Sequence, residues 1–255
     1  MMAKRGAIMV GAGASAAGAA AALYIAATTL APKHAPDRPV GGDEAGFVCL
    51  RTDIAFLAGA GKGCLSRGDV AALSAAPVLD DSGAPVSVSL SHPTDYDAPQ
   101  AQAATCGDYR RLTADGWYAL STRELRREAW FVRACGVLDM LGRARAPDVS
   151  HFEDGRMAQA DAAQLAAGPP FLIGESAQAV VGAAARIGDA AWRISYPTGE
   201  AVIQEIAHAD FNFDGRGDIF VFVSLSAQGG TATASETGLV EKNAADGPVR
   251  FVKAE

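Results

Sequence analysis

From about Gln178 onward, runs of alternating apolar and polar residues follow one another with short connections, and no other feature constrains the fold as much. "AAWRISY" and "EAVIQEIA" flank the turn "PTGE", "DIFVFVSL" follows a loop, and "TGLVEK" and "VRFVKAE" flank another turn. Successive side chains of a strand point to opposite faces, and short connections join antiparallel neighbours. The pattern predicts a C-terminal antiparallel meander sheet.

Upstream the period changes. In "STRELRREAWFVRACGVLDMLGRARA", Ser121 and Glu124 have the spacing of a capping box. Leu125, Ala129 and Val132, and again Phe131, Ala134, Leu138 and Leu141, recur at helical intervals, with Arg123, Arg126, Arg127 and Arg133 largely on the other side as a solvated face. A short helix after Ser66, a strand over 84–91, a hairpin turn at Asp115-Gly116 and a short helix over 157–167 stopped by Gly-Pro-Pro complete the outline. The expected fold class is α+β, over residues 47–255, either as one continuous domain or with a sub-boundary near 147–175.

The N-terminal stretch "AIMVGAGASAAGAAAALYIAATT" admits two readings. Gly11-x-Gly13-x-x-Ala16 has the order of a phosphate-cradling βα turn. That motif requires a second strand ending in an acidic residue about 20 positions on, where this chain has the proline-rich "APKHAPDRPVGGDE". The pair Lys4-Arg5, followed by no charged side chain until Lys33, instead fits residues 1–31 as a signal peptide or membrane anchor. Residues 32–46 then form a flexible tether.

Cysteine usage agrees with export. The chain has 4 cysteines, Cys49, Cys64, Cys106 and Cys135, all beyond the apolar segment. In an oxidising compartment they are expected to form two disulfides. Three pairings are open, and the preferred one joins nearest neighbours, Cys49 with Cys64 and Cys106 with Cys135. The rival reading, a zinc site, lacks any CxxC spacing or nearby histidine. A net charge of -7 argues against nucleic acid and anionic lipid as partners. The membrane is therefore expected to be met through the N-terminal segment alone.

One stretch carries candidate chemistry. In "DFNFDGRGDIFVFV", Asp210, Asn212, Asp214 and Asp218 place side-chain oxygens at the first, third, fifth and ninth positions of a loop. Gly215 supplies the sharp turn and Arg216 offers its backbone carbonyl. Calcium takes six to eight hard oxygen ligands around one point, and alternate residues of a tight loop can deliver them. An EF-hand would need a glutamate where Val221 stands, and helices on both sides. The stretch instead resembles the DxNxDGxxD loop of FG-GAP (integrin-type) repeats, which joins two strands. That resemblance implies Ca2+ as a structural ion held by Asp210, Asn212, Asp214, Arg216 and Asp218. It occurs once, so it implies no propeller. The run "QEIAHADFNFDGRGDIFVFV", with "FVRACGVLDML", also resembles uncharacterised exported proteobacterial proteins and brings no activity with it. The competing reading is a hairpin loop whose Asp and Asn side chains cap their own backbone without metal.

Other motifs are weaker. "GAGKGC" (59–64) imitates a phosphate loop but lacks its first glycine and its hydroxyl residue, and reads as a turn before a disulfide. Arg-Gly-Asp occurs at 67–69 and 216–218, a match short enough to arise by chance. His34, His92, His151 and His208 lie in no HExxH or nucleophile-elbow pattern. His208, beside the acidic loop, is the most interesting of them. The expected function is that of an exported protein, periplasmic or secreted or anchored to the inner membrane. Its role is non-enzymatic, binding or structural, towards a protein or envelope component, with one structural calcium loop. The alternative is a periplasmic hydrolase, which would need a pocket gathering His92, His151 or His208 with carboxylates.

Overall fold

The structure is a computed structural model in which residues 48–95, 97–167, 182–228 and 233–254 are described. In chain order they form β1 (Val48–Leu50), β2 (Gly63–Leu65), α1 (Arg67–Leu73), β3 (Val88–Leu90), β4 (Ala101–Ala103), α2 (Cys106–Ala114) and α3 (Thr122–Arg143). There follow α4 (Gln159–Ala166), β5 (Ala183–Gly188), β6 (Ala191–Tyr196), β7 (Gly199–Ala209), β8 (Asp218–Ala227), β9 (Thr233–Lys242) and β10 (Val249–Lys253). The fold is therefore α+β. The signal or anchor segment and the tether expected over 1–31 and 32–46 lie outside the described residues. Among those described, no helix is long and apolar enough to cross a membrane.

The meander forms as the alternation predicts, with β6 to β10 each antiparallel to the next. β5 adds a strand beside β6. β7 is the long central strand, and it changes partners along one edge. Residues 199–204 pair with β6, whereas Ala207 and His208 pair with Leu50 and Cys49 of β1, which in turn pairs with β2. The hand-over coincides with a register shift between Glu205 and Ala207. An extra residue in a strand breaks its in-out alternation, and here Glu205, Ile206 and Ala207 are buried in succession. Because β1 joins β7, one sheet unites the chain before 147 with the chain after 175.

Both faces of this sheet are covered. Ile206, Ala207 and Phe220 share a core with Phe131, Val137, Leu138 and Leu141 of α3. Ile203, Ile219, Val221 and Val223 share another with Trp192, Phe152, Met157 and Leu165 of α4. A strand buried on two faces reads as a nearly continuous apolar run, which is why "DIFVFVSL" is so uniform.

Helix starts follow their caps. Ser66 and Asp69 form a reciprocal capping box at α1. Ser121 Oγ accepts from Glu124 N–H (3.2 Å) at α3. The Glu124 carboxylate does not turn back to the cap: it accepts from Ser89 N–H at 2.8 Å and so fastens α3 to β3. Of the two apolar stripes on α3, the one through Phe131, Ala134, Leu138 and Leu141 enters the core, while Leu125 and Val132 stay 51% and 58% exposed. Nor are all four arginines solvated. The Arg133 guanidinium lies over the rings of Trp130 (4.6 Å) and Phe222 (5.0 Å), a cation–π arrangement against the edge of the core.

Two expectations need correction. Asp115-Gly116 makes no hairpin: Asp115 caps α2, and Gly116, at φ 82°, takes the left-handed conformation that ends a helix. The same residue pair suits both turns, so composition could not separate them. The strand expected over 84–91 shrinks to Val88–Leu90, paired with β4.

Both disulfides join nearest neighbours, Cys49 to Cys64 and Cys106 to Cys135. The first links directly opposed residues of β1 and β2. The second ties the first residue of α2 to the middle of α3.

Candidate functional site

Of the five residues expected to bind calcium, Asp210, Asn212, Asp214 and Arg216 lie in the loop between β7 and β8, and Asp218 opens β8. Asp210 Oδ1 accepts from Phe213 N–H (2.7 Å), and its Oδ2 from Gly215 N–H (3.1 Å). Asn212 Oδ1 accepts from Asp214 N–H (3.0 Å), Asp214 Oδ1 from Arg216 N–H (2.8 Å), and Asp218 Oδ2 from Phe211 N–H (3.2 Å). Each acidic or amide side chain thus closes a turn of its own loop, the local bonding for which Asp and Asn are favoured in tight turns. Gly215, at φ 81°, makes the sharp bend expected of it.

The segment after α3 clamps this loop from one side. Arg145 and Asp210 exchange two backbone hydrogen bonds (3.0 and 2.9 Å), Asp148 N–H donates to Gly215 O (2.8 Å), and Gly217 N–H donates to Val149 O (2.8 Å). From β9, Glu241 Oε1 accepts from Asn212 Nδ2 at 3.0 Å. Asp210 and Asp218 are 4% and 2% exposed. Burial pushes the Asp218 carboxyl up to about 7. The Phe211 N–H opposes that shift, and the charges of Glu241, Asp214 and Asp210 add to it.

As a metal centre the arrangement fits in composition more than in geometry. Hard oxygen donors are present at every expected position, and the backbone turns that would present them are formed. Among the described residues, however, no three or more His, Cys, Asp or Glu side chains gather around a point that would hold a metal ion.

The histidines do not converge. His34 lies outside the described residues. His92 Nδ1 accepts from Thr94 and Asp95 N–H (3.3 and 3.0 Å), and its ring stands edge-on to Trp117. His151 lies in the loop after α3. Among the described residues, His208 is alone in meeting a candidate nucleophile, with Nε2 3.0 Å from Ser150 Oγ. A shallow depression lined by Ser195, Tyr196, Glu200, Ser226 and Gln228 contains no histidine.

Sequence reasoning missed a polar cluster centred on Glu205 of β7. Glu205 is 1% exposed. Its Oε1 accepts from Trp192 Nε1 (2.9 Å), while Oε2 is buried without a hydrogen-bond partner. Burial raises its carboxyl above the usual range, against the pull of the Trp192 hydrogen bond, of the Met157 backbone and of the Arg51 and Arg156 charges. Arg51 in turn donates to the carbonyls of Asp154 (2.6 Å) and Gly155 (3.2 Å). Burial, and then the charge of Arg51, lowers His208 to about 4, leaving the ring neutral at ordinary pH. The signal that could have found the cluster was Glu205 itself, a charge on the apolar side of "EAVIQEIA". Compared as a whole with known proteins, the chain matches no family model, no curated protein and no solved structure.

Proposed function

We propose that this is an exported protein, periplasmic or secreted, with a non-enzymatic binding or structural role at the cell envelope, whose 210–218 loop takes one structural calcium ion. Two disulfides support an oxidising compartment, and the charge-free run between Arg5 and Lys33 supports export. The observation that carries the calcium reading is Asp218, buried at 2% with the carboxylates of Glu241, Asp214 and Asp210 raising its proton affinity further. A bound cation would offset that repulsion and stabilise the fold by mass action, by about 2.7 kcal/mol at roughly 100 times its Kd.

The test is a thermal melt of thoroughly chelated protein with and without added calcium. The melting temperature is expected to rise with calcium in the wild type and to stay put in Asp214→Ala. Identical melts of the wild type in both conditions would remove calcium from the reading. Fractionation of a C-terminally tagged copy tests export, and full-length protein in the cytoplasm would reverse it. The hydrolase alternative draws on the Ser150–His208 contact alone. Ser150 Oγ also accepts from Phe152 N–H (3.2 Å), as expected of a turn-capping serine.

A further inference from the structure

The two disulfides occupy opposite environments. Cys106 and Cys135 are 0% and 4% exposed and lie inside the helical core. Cys64 is exposed on β2, a three-residue strand at the end of the sheet, and Cys49 is only half-buried. Cys49 stands opposite both Cys64 and His208 in register, so all three side chains share one face of the sheet. Arg51 follows two residues after Cys49.

We propose that Cys49–Cys64 is a thiol–disulfide exchange site for a dithiol reductant, with Cys64 Sγ as the atom attacked. Exchange requires a thiolate to reach one sulfur of the bond, and Cys64 is the accessible member of the pair. The reductant's thiolate bonds to Cys64 Sγ, the bond to Cys49 breaks, and Cys49 leaves as a thiolate that takes a proton from solvent. The reductant's second thiol, deprotonated, then attacks its own sulfur in the mixed disulfide and releases Cys64, which is protonated in turn. Two electrons and two protons pass to the protein, and the dithiol ends as a disulfide.

The fold is built to survive the reaction. β1 remains paired with β7, and Ile54, Phe56, Leu57 and Ala60, from the loop that the disulfide closes, are buried in the core. None of the calcium-loop residues takes part, so this site and the proposed function stand or fall separately.

The experiment titrates the native full-length chain with dithiothreitol near neutral pH, traps free thiols by alkylation and identifies them by peptide mass spectrometry. Cys49 and Cys64 are expected to become alkylated together at a reductant concentration at least about tenfold below that needed for Cys106 and Cys135, with the cooperative melt retained. Joint release of all four thiols, earlier release of Cys106 and Cys135, or release of Cys49 and Cys64 only on unfolding would overturn the proposal. A second arm uses 2-mercaptoethanol followed by rapid alkylation. Its adduct is expected on Cys64 with Cys49 alkylated, and an adduct chiefly on Cys49 would refute the assignment of the attacked atom.

Discussion

Two sets of buried carboxylates, one within β7 and one just beyond its end, are held by opposite means. In the 210–218 loop, carboxylates face other carboxylates and are satisfied by N–H groups of their own loop, within five residues of each donor for Asp210, Asn212 and Asp214. In the other, Glu205 faces cations and accepts from Trp192, with Arg51 contributed from just after β1, more than a hundred residues earlier in the chain. The loop's order is local and the cluster's is tertiary. At the exposed rim of the loop, around Asn212, water replaces what a substitution removes, whereas a buried carboxylate among cations has no substitute.

The largest expected effect follows from that difference. Glu205→Ala strands the buried Trp192 N–H and removes one of the two carboxylates, Glu205 and Asp154, whose charges oppose that of half-buried Arg51. Removing one member of a buried charged set costs roughly 3–5 kcal/mol. Urea unfolding should register a loss of that size. Glu205→Gln, which keeps an oxygen for Trp192, should lose less than half as much. Equal losses would mean that the charge of Glu205 matters more than its hydrogen bond.

The pH dependence of stability sharpens the contrast. The His208 pKa falls on folding from 6.5 to about 4, so below 6.5 the unfolded chain binds a proton that the folded one refuses. Stability from this group is fully present above 6.5 and is lost as pH falls towards 4, by about 1–2 kcal/mol once its partial exposure is allowed for. Glu205 is shifted the other way: its folded pKa is raised above 4.5, so its contribution is present below 4.5 and is lost as pH rises through the folded value. His208→Gln should therefore flatten the acid side of the stability curve, and Glu205→Gln should make stability rise more steeply with pH. Parallel tilts in the two variants, measured by unfolding across pH 4–8, would mean that other groups set the slope.

Legibility in the sequence divides along the same line. The meander was readable because alternation is a property of neighbours, and "PTGE" marks the only sharp break between β6 and β7. The caps at Ser66 and Ser121 were readable for the same reason. The pairing of Cys49 with His208 was not, since nothing near either residue announces a partner so distant. The bulge at 205–207 was hidden as well, because "QEIA" continues a plausible alternation while the backbone abandons it. On α3, periodicity located two apolar stripes but could not say which one meets the core. The answer is tertiary: Phe131, Ala134, Leu138 and Leu141 pack into the core, while Leu125, Ala129 and Val132 remain outside. The acidic loop was legible as a constellation, and its turns formed where the spacing put them.

The smallest expected effect is at Asn212. Its Oδ1 accepts from Asp214 N–H and its Nδ2 donates to Glu241, both at 3.0 Å and both at the exposed rim of the loop. Asn212→Ala removes two hydrogen bonds whose remaining partners can turn to water, so the cost in chelated protein should be about 0.5–1 kcal/mol. The comparison with Glu205→Ala is then a matter of solvent access, since each substitution removes a hydrogen-bonding side chain, one at the exposed rim and one 1% exposed among cations. A loss at Asn212 as large as that at Glu205 would show that the loop is held as cooperatively as the cluster. Repeating the measurement in calcium separates two roles for Asn212. A residue that only closes a turn loses the same amount in both conditions, whereas one that also donates an oxygen to the ion loses more when calcium is present.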